Sequence, residues 1–93
     1  MTRIMAIVFI PTMFLDLTNG ESQIEITGSR VSDIVDALDS KFPGIRARIT
    51  QDRKLKDDLA VAIDGETCRL GLMEPVPETA QEIHFIAAIA GGI

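Results

Sequence analysis

The sequence contains no tryptophan or tyrosine and only one cysteine and one histidine in 93 residues. A lone cysteine excludes an intramolecular disulfide framework and any multi-cysteine zinc or iron–sulfur site. A lone histidine argues against a conventional Ser-His-Asp triad and against a histidine-based metal centre. Bases are also scarce: nine Lys and Arg stand against 14 Asp and Glu, a formal charge of −5. Nucleic acid selects basic surfaces, so no nucleic-acid partner is expected. No apolar run approaches the roughly 18 residues of a membrane span. The apolar opening from Met1 to Ile10 runs into Pro11-Thr12 without a small-residue cleavage site, so it does not read as a secretory signal. The expectation is a soluble cytoplasmic protein with no membrane partner and no resident metal. Composition alone removes most enzymes.

What is present is enough for one compact domain. Apolar residues make up 46% and charged residues 25% of the chain, which is neither disordered nor fibrous. Ile4 to Ile10 is an apolar, β-branched run of strand length, ended by Pro11. Residues 11–20 read as loop, with Asn19-Gly20 as a turn signal. Ser22 to Thr27 alternates polar and apolar, as a half-buried strand does, and should pair antiparallel with the first run. Next comes the clearest helix. Ser29 is the expected N-cap, and Val31, Ile34, Val35, Leu38 and Phe42 share one face. Asp33, Asp36 and Asp39 lie off that face as a solvated stripe, and Phe42-Pro43-Gly44 stops the helix.

A short helical turn is expected at Ile45–Ile49, then a strand at Leu59–Ile63. Asp64-Gly65 is a favoured two-residue hairpin turn into a short strand over 66–70. Gly71 to Thr79 is loop, and Glu82–Ala87 is the last strand. The fold class is therefore α+β, a mixed sheet with one main helix packed across one face. The first and last strands are the most apolar and should lie side by side in the middle. That arrangement is the β-grasp, or ubiquitin-like, architecture. It assigns residues 1–90 to a single domain and 91–93 to a tail.

Charge is unevenly distributed. Residues 41–56 hold Lys41, Arg46, Arg48, Arg53, Lys54 and Lys56 against Asp52 alone, whereas both flanking stretches are acidic. This is either a solvated loop and helix end or one pole of a bipolar docking surface.

The most informative residues are Gly91 and Gly92. A protein that uses a main-chain carboxylate as its reactive group must thread it into another protein's narrow active site. Extended, residues 90–92 project about 10 Å, and two glycines put no side chain in the channel. The reacting atom then belongs to the main chain, and no side-chain nucleophile is needed. The bland alternative is a frayed terminus of small residues.

The end Glu82-Ile83-His84-Phe85-Ile86-Ala87-Ala88-Ile89-Ala90-Gly91-Gly92 resembles that of the β-grasp sulfur carriers. These include the small subunit of molybdopterin synthase, the thiamine-biosynthesis sulfur carrier and the carrier serving cysteine synthesis in some bacteria. Asp33-Ile34-Val35-Asp36-Ala37-Leu38 with Lys41-Phe42-Pro43-Gly44-Ile45 is similar to the family's helix and its exit. The resemblance implies that a ubiquitin-activating-type enzyme adenylates the Gly92 carboxylate with ATP. Sulfide or a persulfide then replaces AMP to leave a thiocarboxylate, which gives its sulfur to an accepting synthase. Gly92 is thus the adenylated, sulfur-carrying residue and Gly91 supplies clearance. The chain itself contributes no catalytic residue and binds no permanent cofactor.

One departure stands out: active family members end at the second glycine, and Ile93 follows it here. The resemblance implies removal of Ile93 by a zinc peptidase of the JAMM class. Two other readings stay open: a ubiquitin-like modifier joined to lysines through Gly92, and a β-grasp interaction module whose tail does nothing.

Phe9, His84 and Ile86 form a candidate docking face for the activating enzyme. His84 and Ile86 share one side of their strand, opposite Ile83 and Phe85, and an ordinary sheet-face histidine is the alternative. Cys68 reads as a half-buried filler, and Met5, Met13 and Met73 as gap fillers.

Overall fold

A computed structural model describes residues 5–87. Strand β1 (Ala6–Phe9) pairs antiparallel with β2 (Gln23–Ile26), with Ala6 opposite Ile26 and Val8 opposite Ile24. The connection holds a 3₁₀ turn at Thr12–Phe14 and closes at Asn19-Gly20, whose φ values of 57° and 83° explain the residue types. Thr18, buried beneath this loop, donates its hydroxyl to the Glu21 carbonyl at 2.8 Å.

Helix α1 (Val31–Lys41) buries Val31, Ile34, Val35 and Leu38, the face expected from the spacing. Its cap corrects the expectation for Ser29. Arg30 occupies the N-cap position, and capping comes from within the helix. Asp33 Oδ2 reaches back to accept the backbone N–H groups of Ser29 (3.1 Å) and Arg30 (3.0 Å). A carboxylate in the first turn satisfies two orphan donors and suits the positive end of the helix dipole.

The other aspartates also do more than meet solvent. Asp39 Oδ1 accepts the N–H groups of Gly44 and Arg46, which open α2 (Ile45–Ile49), and Asp36 pairs with Arg46 at 3.0 Å. Gly44 joins the two helices at φ 101°, a region that L side chains rarely adopt.

A small hairpin follows that the sequence pattern did not reveal: β3 (Thr50–Gln51) against β4 (Lys54–Leu55). Strand β5 (Leu59–Ile63) turns at Asp64-Gly65 into β6 (Glu66–Thr67), which is shorter than expected. Both turn residues have positive φ, 50° and 88°, as a type I′ hairpin turn requires. A 3₁₀ turn at Gly71–Met73 breaks the loop that leads to β7 (Glu82–Ala87).

The main sheet has the order β2-β1-β7-β5-β6. Its centre pairs β1 and β7 in parallel, with Val8 beside Ile83 and Phe9 beside His84. Helix α1 covers one face, and the core there joins Val8, Ile83, Phe85 and Val61 to Ile34, Val35, Leu38, Ile45 and Ile49. This is the expected mixed sheet with one main helix. The methionines differ from expectation: Met5, Met13 and Met73 are 50%, 46% and 59% exposed, so none fills a gap in the core. Core space is taken by β-branched residues and leucine, whose rotamers are better defined.

Candidate functional site

Strand β7 delivers the chain toward the tail. It is fixed at its start by Asp64, whose Oδ1 accepts the N–H groups of Gln81 (3.0 Å) and Glu82 (2.9 Å). The Asp64 N–H donates to the Glu82 carbonyl at 2.8 Å, and the Ile7 N–H donates to the Gln81 carbonyl at 2.9 Å. The strand is then held on both edges, by β1 and by β5. Both edges are paired from Glu82 to His84, and β5 alone carries the pairing on to Ala87. Register is held because a one-residue slip would exchange the two faces of the strand. Gly91, Gly92 and Ile93, the tail residues singled out from sequence, lie outside the described residues.

The face of the sheet that α1 leaves uncovered carries the other three. The Phe9 and His84 rings stack at 4.1 Å between centroids and 3° between planes. Parallel pairing of β1 and β7 sets these residues side by side, so the stack follows from register. His84 Nε2 also lies 3.2 Å from Glu82 Oε1 on the same strand and face. Ile86, two residues on, is 41% exposed. On the other flank, β5 places Ala62 opposite His84 and Ala60 opposite Ile86. Two small side chains there leave the imidazole and Ile86 standing above their neighbours.

Alternation along β1 adds Ile7 to this face, and the exposed Met5 continues the same row. Period-2 alternation carried far enough to assign Ile7, Ala60 and Ala62 as well would have completed the patch from sequence. Its rim is polar, with Gln23 and Glu25 on β2 and Glu82 on β7.

Cys68 is half-buried, and partial burial, together with Glu74 and Glu66 nearby, raises its thiol pKa above the ordinary value. A thiol held protonated is a weak nucleophile, which fits a packing role. Among the described residues, no three His, Cys, Asp or Glu side chains converge as a metal site would need. No described helix is long and apolar enough to cross a membrane.

Comparison with known proteins agrees with this geometry. Searched against curated proteins, the sequence has no match. The fold is similar to a chain in the crystal structure of the Amycolatopsis orientalis BexX/CysO complex. That pair shares 32% identity at a TM-score of 0.83, covering 94% of this chain and 99% of that one. Mycobacterium tuberculosis CysO, described as an antigen, matches at 20% identity and a TM-score of 0.81, over 90% of this chain and 99% of that one. SAMP1 from Haloferax volcanii matches at 20% identity and a TM-score of 0.73, over 96% and 100%. The last two likenesses concern the fold alone. The ThiS family model matches residues 9–92, from Phe9 on the open face to the second glycine of the tail, and the chain belongs to the ThiS family.

Proposed function

We propose that this protein is a sulfur carrier that acts through the main-chain carboxylate of Gly92. The observation that carries the reading is the reach of the family match, which runs through Gly91-Gly92 and stops before Ile93. A JAMM-class zinc peptidase hydrolyses the Gly92–Ile93 peptide bond and frees the Gly92 carboxylate. A ubiquitin-activating-type enzyme then joins that carboxylate to the α-phosphorus of ATP, with pyrophosphate leaving. Sulfide attacks the acyl carbon and expels AMP, and the product is a glycine thiocarboxylate. An accepting synthase takes the sulfur, and water cleaves the acyl C–S bond and supplies the oxygen with which the carboxylate returns.

In this scheme the chain is a cosubstrate. Its own contributions are positional: β7 aims the tail, Gly91 and Gly92 allow close approach, and the Phe9–His84–Ile86 face docks on the activating enzyme. An aromatic stack with an aliphatic neighbour and a polar rim has the composition of an interface centre. Likeness to a CysO chain crystallised with BexX supports a carrier that works with enzyme partners. Cysteine synthesis is the acceptor pathway we favour, with molybdopterin- or thiamine-type cofactor synthesis as the next choice.

The test is intact-mass spectrometry after incubation with the peptidase, activating enzyme, ATP and sulfide. Loss of Ile93 followed by exchange of one oxygen for sulfur is expected. A sulfur-loaded chain that still carries Ile93 would overturn the order of steps. A ladder of high-mass lysine conjugates in cells would instead favour the modifier reading, which likeness to a small archaeal modifier protein from Methanosarcina acetivorans keeps in view.

A further inference from the structure

The basic segment 41–56 does not act as one patch. Arg48 turns to one side, where its guanidinium sits 5.5 Å from the Phe14 ring centroid, 3.4 Å from the Met13 carbonyl and 4.0 Å from Asp16. Arg46 and Arg53 go elsewhere, to a groove of about 360 Å³ in the helical layer. Its walls come from α1 (Ser32, Val35, Asp36), from Arg46, Thr50 and Arg53, and from the 3₁₀ turn at Leu72 and Met73.

Two features of this groove are not explained by packing. Met73, in its wall, is 59% exposed. Val35 and Leu72 line the same groove, so Met73 extends an apolar wall rather than standing alone on the surface. Arg53 is the second. It occupies the second turn position between β3 and β4 at φ 65°, following Asp52 at 54°. The second position of such a turn favours glycine, and an L side chain there costs roughly 1–2 kcal/mol. That conformation sets a long cationic side chain at a defined point on the groove. Arg46 is already matched by Asp36, whereas Arg53 has no carboxylate partner within ion-pair distance among the described residues.

We propose that this groove is a second docking surface, one that takes an acidic, apolar peptide segment of a partner protein. A carboxylate of the segment pairs with the Arg53 guanidinium, and a leucine-sized side chain packs on Leu72 and Met73. Charge complementarity selects this occupant. The chain is acidic overall, and the segment that carries Arg46 and Arg53 is its one strongly basic stretch. Nucleic acid fits less well, because no aromatic ring lines the groove for base stacking and Asp36 stands in its wall. The groove lies on the opposite side of the sheet from Phe9 and His84, so both surfaces can be engaged at once. The surface is a property of the folded chain and does not depend on the carrier reading.

The experiment uses the isotopically labelled full chain and a synthetic peptide of Glu-Glu-Leu-Leu repeats as probe, followed by amide chemical shifts. Saturable shifts are expected at Val35, Thr50, Arg53, Leu72 and Met73, with affinity falling as salt rises. Arg53→Glu should weaken binding about tenfold or more, since it sets like charges together. Arg53→Gly removes the same charge while relieving the turn, so its loss of affinity cannot be assigned to misfolding. The proposal is overturned by an absence of shifts, by shifts centred on Phe9 and His84, or by equal binding of the Lys-for-Glu peptide. Matching shifts from a single-stranded oligonucleotide would overturn it too and identify a general polyanion site.

Discussion

The two faces of the central sheet are built from the same strands and differ in every other residue. On one face Val8, Ile83, Phe85 and Val61 are fully or almost fully buried beneath α1. On the other, Phe9 stacks on His84, and His84 and Ile86 stand against small alanines, with no helix above them. Full burial of one such aliphatic or aromatic side chain stabilises the fold by about 1.5–3 kcal/mol, so the inner face holds the molecule together. The outer face leaves apolar surface in water and contributes little to that stability. A chain this short has few apolar residues to spare, so an uncovered aromatic and aliphatic row argues for use by a partner. Under the proposed function, one strand serves stability and recognition on alternate residues.

The largest expected effect is on the inner face. Leu38→Ala or Ile83→Ala should cost about 2–5 kcal/mol, measured by urea unfolding, because each leaves a cavity in a packed layer. A loss below 1 kcal/mol would mean that the inner face is not the load-carrying one. Second, Ile86→Asp should change stability by no more than about 0.5 kcal/mol. If the proposed docking role holds, it should nevertheless raise the KM of the proposed activating enzyme for this chain about fivefold or more, as loss of an interface anchor does. Unchanged KM would end the docking role of the outer face.

Third, Arg53→Gly should raise stability by up to about 1 kcal/mol, since glycine fits the turn that arginine strains. No gain would show that the strained turn is compensated locally. The smallest effect concerns Cys68. With its thiol pKa raised chiefly by burial, it should alkylate more slowly than free cysteine near pH 8 and gain rate as pH climbs through the higher folded value. On the stability side the sign follows: any contribution is present below the unfolded thiol pKa and is lost as pH rises through the folded one.

Much of the fold was legible before any coordinates. The spacing of Val31, Ile34, Val35 and Leu38 identified the helix and its buried face, and Asn19-Gly20 and Asp64-Gly65 marked their turns. These signals are local, because periodicity and turn chemistry act over a few residues. The β3–β4 hairpin escaped for the same reason. Its strands are two residues each, too short for alternation to show, and its turn carries Asp52-Arg53 where glycine is customary. The helical pattern predicts a solvated Asp33, yet it caps α1, because capping depends on where the chain enters the helix. Met5, Met13 and Met73 stay exposed where apolarity predicts burial, because polarity alone does not say which apolar residues the core has room for.

The sequence by itself determined the kinds and order of elements, the Gly-Gly end that links the chain to its family, and the scarcity of groups from which to build an active site. Only the tertiary structure decided that Phe9 stacks on His84, that Ala60 and Ala62 keep that face low, and that Arg53 meets Leu72 and Met73 at one groove. The physical reason is the same each time. These neighbours are far apart along the chain, and their meeting depends on parallel β1–β7 register and on how the helical layer seats against the sheet, which non-local packing sets.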